Sequence, residues 1–148
     1  MTDRFLRGVA AGVIAYAPTW LYNYVAYSFF HFPKYRFADF ASVMILGIPA
    51  RGSIELWFAR LVTLFFLALC GAVFAFLVPQ LTSRYLYFKG WFYSVTIWFL
   101  CFTVTKLFKI PYLSSQDINT ALSNLIAATI WGLSLAYTMQ LLVKRNTV

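Results

Sequence analysis

Four long, almost uncharged apolar runs constrain this chain more than any other feature. They cover residues 8–30, 57–78, 90–108 and 118–143 of the 148. A helix of about 20 apolar residues spans the roughly 30 Å hydrocarbon core of a bilayer. Because 62% of the residues are hydrophobic and only 11% are charged, a water-soluble domain could not bury them all. The sequence therefore predicts an all-α, polytopic membrane protein: one domain, built as a bundle of four transmembrane helices.

A fifth apolar stretch, residues 37–48, is too short to cross the bilayer. Asp39 near its beginning suits a helix N-terminus, and Gly47-Ile48-Pro49 is typical of a helix end. We expect a short helix between spans one and two. The sequence leaves open whether this helix is re-entrant or lies in the membrane interface.

The basic residues fall in twos and threes between the apolar runs rather than in one patch. The chain has twelve Lys and Arg against four Asp and Glu, a net charge of +8. This pattern is typical of juxtamembrane anchors, so the expected partners are membrane lipids with anionic headgroups and not nucleic acid. With four spans, each side of the membrane carries six Lys and Arg. Because Arg4 and Arg7 directly precede the first span, we expect both termini to be cytoplasmic.

Small residues recur at helical spacing in three of the spans, where they are expected to mediate helix packing. Such residues let two helix backbones approach closely in lipid. The residues concerned are Gly8, Gly12, Gly71, Ala128, Gly132 and Ala136. Asn124 and Gln140 end the stripe in the fourth span and are expected to hydrogen-bond inside the bundle. Two alternatives stay open: a ligand path along this stripe, and a homodimer formed through Gly8 and Gly12.

Residues suited to catalysis are scarce. The four acids are Asp3, Asp39, Glu55 and Asp117, and all are predicted at or beyond a membrane interface. The single histidine, His31, has no neighbouring His or Cys in the sequence. General acid–base chemistry and metal binding both need such groups gathered in one place. We therefore expect no catalytic residues, no metal site and no cofactor, and the chain is not expected to be an enzyme.

One charged cluster is predicted on the side of the short helix. Asp39, Glu55 and Arg60 all belong to this side, and ion pairs of Arg60 with either acid would fix the linker against the bundle. Lys106 and Lys109 close the third span on the same side. Together with Arg60 they could instead form a pocket for an anionic headgroup or a small anion.

Several short apolar motifs resemble those of a known group of proteins. The motifs are Ile45-Leu46-Gly47, Phe74-Ala75-Phe76-Leu77, Lys89-Gly90-Trp91-Phe92, Trp98-Phe99, Leu107-Phe108-Lys109-Ile110-Pro111 and residues 124–132. Together they resemble the small four-span bacterial membrane proteins of the YqhR/YagU-like kind, over nearly the whole chain. The resemblance implies a bacterial cytoplasmic membrane location. It brings no catalytic residues to carry over.

Two functions are consistent with these features. The first is an accessory, scaffold or assembly subunit of a larger membrane complex or homo-oligomer, without catalytic chemistry. The alternative is a lipid- or small-solute-binding bundle or channel. A scaffold predicts a filled bundle interior, whereas a binding protein predicts a cavity that reaches in from one interface and is lined by Arg60, Lys106 or Asn124.

Overall fold

The computed structural model describes residues 3–80 and 85–144. Within these ranges the chain forms five α-helices and no strand, so the predicted all-α class is confirmed. The helices are α1 (Arg4–Ser28), α2 (Phe37–Leu46), α3 (Ser53–Gln80), α4 (Leu86–Leu107) and α5 (Ile118–Lys144). Arg84 and Arg145, which entered the count of basic residues on each side, lie outside the described residues.

Two of the helices are both long and apolar enough to cross a membrane. They are the stretches Ser53–Val78 in α3 and Ile118–Val143 in α5. The other two long helices, α1 and α4, have 25 and 22 residues. Both carry several Tyr and Trp side chains, and α1 also contains Pro18 and Asn23, which make them less apolar.

The four long helices alternate in direction. Tyr87 of α4 donates a hydrogen bond to Gln140 Oε1 of α5 (2.9 Å), whereas Ser94, farther along α4, lies against Gly132, earlier in α5. The same reversal relates α5 to α1 and α1 to α3, which gives the order α3–α1–α5–α4 around the bundle. The beginning of α1 and the end of α5 therefore lie at one end of the bundle, and α2 lies at the other.

Close backbone contacts join the helices in the half of the bundle that contains the chain termini. A Cβ built on Gly8 of α1 would lie 2.6 Å from Ala72 Cα of α3. A Cβ on Gly90 of α4 would lie 2.8 Å from Ala136 Cβ of α5. The predicted small-residue faces thus pack against helices of their own chain, and Ala128 is half-buried on the same side of α5. Gly8 and Gly12 are occupied by α3, so they are not free to mediate a homodimer.

The short helix α2 begins and ends as its sequence indicates. The Asp39 carboxylate accepts a hydrogen bond from the Arg36 N–H (2.8 Å) and so satisfies a backbone donor at the helix N-terminus. Gly47 ends the helix in the left-handed conformation, with φ of 76°. Phe40 and Val43 pack against Phe102 of α4, which fixes α2 across one end of the bundle.

A methyl group at Gly71 should weaken the bundle. The added carbon would lie 2.8 Å from Gly12 Cα and closer still to the Gly8 carbonyl oxygen, so two backbones must separate. We expect Gly71→Ala to lower the free energy of unfolding by about 1–3 kcal/mol, although Ala favours helices. Gly52→Ala is the control, because no heavy atom lies within 4 Å of its added carbon. Thermal unfolding in detergent would measure both, and equal melting temperatures would contradict the packing role of Gly71.

Candidate functional site

A cleft of about 220 Å³ lies between α1 and α3 at the end of the bundle where α2 is found. Residues 16–28 of α1 form one wall, and the first turn of α2 contributes Arg36, Phe37 and Ala38. The α3 wall consists of Leu56, Arg60, Thr63 and Leu67. These four are three or four residues apart and therefore share one helix face.

The cleft exists because α1 and α3 are in backbone contact along only part of their length. At Gly8 and Gly12 no side chain separates the two helices. Toward the other end, the side chains of Trp20 and Tyr24 stand on the α1 wall, and α2 enters beside them. The cleft thus lies where these side chains and the first turn of α2, rather than glycine, line the space between α1 and α3.

Arg60 supplies the positive charge in this cleft. Its guanidinium lies 4.9 Å from the ring centre of Trp57 and 5.8 Å from that of Trp20. Contact with an aromatic face stabilises a cation but does not neutralise it. Within residues 3–80 and 85–144, no carboxylate comes within ion-pair distance of Arg60. No described residue therefore compensates its charge.

The predicted ion pair of Arg60 with Asp39 or Glu55 is not formed, because both acids are held by groups nearer to them in sequence. Asp39 pairs with Arg36 at 3.3 Å, across less than one helical turn. Glu55 accepts hydrogen bonds from the backbone N–H groups of Arg51 (2.7 Å) and Gly52 (3.3 Å) just before α3. Asp39 and Arg60 lie on different helices, so pairing them would order more groups than the local pair does. Glu55 and Arg60 are five residues apart in α3 and therefore lie on different faces of that helix.

Arg36 is a second cation of the cleft, which the sequence analysis did not single out. Its guanidinium lies 4.2 Å from the ring centre of Tyr27, near the C-terminal end of α1. Unlike Arg60, it has a carboxylate partner in Asp39. The spacing Arg36-x-x-Asp39 at the beginning of a helix is the sequence signal that indicates this pair.

Asn23 is a polar side chain of the cleft wall that is almost fully buried, with 9% of its surface exposed. Its Nδ2 donates to the Thr19 carbonyl oxygen (3.0 Å). Its Oδ1 has no hydrogen-bond partner in the part of the chain that the structure describes. Burying an acceptor without a partner costs about 1–3 kcal/mol.

The two threonines of the cleft also keep acceptor capacity. Thr19 donates its hydroxyl hydrogen to the Ala15 carbonyl oxygen (3.1 Å), and Thr63 donates to the Ala59 carbonyl oxygen (2.8 Å). A hydroxyl that has donated its hydrogen still carries lone pairs. The cleft therefore combines a cation, Arg60, with hydrogen-bond acceptors on both walls.

The other predicted site residues lie elsewhere. Lys106, in the last turn of α4, and Lys109, just after it, are exposed and do not line the cleft, which lies between α1 and α3. Asn124 is buried on α5 and donates to the carbonyl oxygens of Thr120 (3.0 Å) and Tyr35 (3.4 Å). The predicted pocket of Arg60 with both lysines is therefore not assembled, and Arg36 is the cation that accompanies Arg60.

An apolar groove of about 190 Å³ adjoins the cleft. It lies between α2, α3 and α4, and its walls include Met44, Phe66 and Cys101. Phe37 and Thr63 line both the groove and the cleft, so the two spaces share a wall. A molecule with a charged end and an apolar chain would find surfaces for both parts here.

No family model, no curated protein and no solved structure matches this chain. Among residues 3–80 and 85–144, no three His, Cys, Asp or Glu side chains gather where they could hold a metal ion. The chemistry of the site accordingly rests on Arg60, Arg36 and Asn23. These groups can bind an anion and a hydrogen-bond donor.

Removal of the Asp39 charge should make the cleft more attractive to anions. In Asp39→Asn the amide oxygen can still cap α2, but Arg36 loses its counter-charge. We expect retention of phosphatidylglycerol relative to phosphatidylcholine to rise about threefold to tenfold, equivalent to about 0.7–1.4 kcal/mol. Native mass spectrometry would measure the ratio. Glu55→Gln, which removes a capping carboxylate outside the cleft, is the control, and an equal rise there would contradict the role of Arg36.

Proposed function

We propose that this chain is a multi-pass protein of the cytoplasmic membrane in which α1, α3, α4 and α5 all span the bilayer. All four helices present large apolar side chains outward. Leu21 is 57% exposed, Phe65 74%, Phe92 60% and Leu122 45%. Water disfavours so much apolar surface, whereas lipid accepts it. The shortest of these helices has 22 residues and is about 33 Å long, enough to cross the hydrocarbon core.

The proposed topology has both termini in the cytoplasm and α2 near the opposite interface. Single cysteines at Thr2→Cys and Gln116→Cys would test it, in a chain whose Cys70 and Cys101 are replaced by alanine. With a maleimide that does not cross membranes, we expect position 116 to react in intact cells. Position 2 should react only after the cells are opened. Labelling of position 2 in intact cells would show the opposite orientation and contradict the proposed topology.

We further propose that the protein is a lipid-binding bundle rather than an enzyme, and that its ligand is an anionic lipid held in the cleft. The observation that carries this proposal is the uncompensated charge of Arg60 on the cleft wall. Arg60 is seven residues inside α3, about 10 Å from the helix beginning. At that depth a cation gains strongly from a counter-anion, and a lipid headgroup supplies one.

The apolar groove beside the cleft favours a lipid over a small water-soluble anion. Because Phe37 and Thr63 line both spaces, the cleft and the groove adjoin, and a headgroup in the cleft would lie beside an apolar surface suited to its acyl chain. A purely structural scaffold would be expected to fill its interior. The open cleft and groove therefore support the binding function over the scaffold or assembly subunit that the sequence also predicts.

Arg60→Gln tests the proposed function. The variant keeps a polar side chain but loses the charge, so we expect retention of phosphatidylglycerol in native mass spectrometry to fall about tenfold, equivalent to about 1.4 kcal/mol. Lys106→Gln is the matched control, since Lys106 is exposed and outside the cleft. Both variants are first checked for an unchanged melting temperature. Equal retention by Arg60→Gln and the parent chain would refute the proposal.

A further inference from the structure

We infer that the cleft selects a monoanionic phosphodiester headgroup that also carries a hydroxyl group, which is the chemistry of a glycerol-type lipid head. The inference rests on the proposed lipid-binding function and adds the ligand class. It follows from two groups that have no counter-ion or hydrogen-bond partner in the described part of the chain, the Arg60 guanidinium and the Asn23 carbonyl oxygen. The first requires an anion, and the second requires a hydrogen-bond donor.

The positions of these two groups suit one small headgroup. The Arg60 guanidinium lies over the ring of Trp20, and Asn23 follows Trp20 by three residues on α1. Three residues correspond to about 4.5 Å along a helix, close to one turn. Arg60 and Asn23 both line the cleft, so one headgroup there would lie beside both residues. Because the Asn23 carbonyl oxygen is itself buried, the side chain must turn toward the cleft to accept from a ligand hydroxyl.

The charge of the cleft limits the ligand to about one negative charge. Arg36 also lines the cleft, but its charge is balanced by Asp39, which leaves Arg60 as the cation without a counter-ion among the cleft residues. A phosphodiester carries one negative charge at neutral pH and matches it. The acceptor lone pairs of Thr19 and Thr63 offer further places for ligand hydroxyls.

Two lipids isolate the contribution of the hydroxyls. Phosphatidylglycerol and phosphatidylmethanol carry the same phosphodiester charge, but only the first has hydroxyl groups on its head. With equal amounts of both, matched in acyl chains, we expect the purified full-length chain to retain phosphatidylglycerol about fivefold to tenfold more in native mass spectrometry. Equal retention of the two lipids by the parent chain would overturn the inference, and this comparison requires no variant.

Asn23→Leu tests the assigned residue. Its side chain has a similar size but no acceptor, so the preference for phosphatidylglycerol should disappear while total retention of anionic lipid persists. Asn119→Leu makes the same chemical change at an exposed position of α5 outside the cleft and should keep the preference. A preference that survives in Asn23→Leu would overturn the role of Asn23.

The failures of the two proposals are distinguishable. If neither anionic lipid is retained above phosphatidylcholine, the proposed function itself fails. A further arm adds glycerophosphoglycerol, the deacylated form of phosphatidylglycerol, at millimolar concentration. No displacement of the lipid supports a membrane lipid as the source of the headgroup. Displacement would keep the headgroup chemistry but overturn the lipid source in favour of a soluble phosphate ester.

Discussion

The glycine contacts between helix backbones are the constraint on which the rest of this structure depends. In the proposed membrane location there is no hydrophobic gain from bringing helices together, so association would rely on close packing. Gly8, Gly12 and Gly71 allow that packing between α1 and α3, and Gly90 with Gly132 allows it between α4 and α5. Both contacts lie in the half of the bundle that contains the chain termini. The other half contains α2 and the cleft.

The positions of the four acids explain why Arg60 has no counter-ion among the described residues. Each acid is used locally: Asp3 accepts from the Phe5 N–H at the beginning of α1, and Asp117 accepts from the Thr120 hydroxyl near the beginning of α5. Asp39 and Glu55 serve the same purpose at α2 and α3. All four carboxylates therefore lie at helix N-termini, and among the described residues none of them is within ion-pair distance of Arg60. The uncompensated charge of Arg60 is thus a consequence of how the helices begin.

Local features of the sequence predicted the elements well, and long-range features did not. The four apolar runs each became a helix, and Asp39 with Gly47 placed the ends of α2 to within two residues. These signals need only neighbours in sequence. Whether Arg60 meets a carboxylate depends on how α2 and α3 are rotated about their axes, and the sequence does not specify this rotation. Asn23 was missed among the aromatic residues of α1, although its spacing from Thr19 places both on one helix face.

Two polar groups of the cleft are in an unfavourable electrostatic environment unless a ligand binds them. Among the described residues, the Arg60 guanidinium has no counter-ion and the Asn23 amide oxygen has no hydrogen-bond partner, and both raise the free energy of the folded chain. A ligand that satisfies both recovers this free energy on binding, in addition to what its own contacts contribute. Occupancy and folding stability are therefore coupled, since a ligand that binds only the folded form shifts the folding equilibrium toward it. On this argument the lipid that we propose as the ligand would add to the stability of the folded protein when it occupies the cleft.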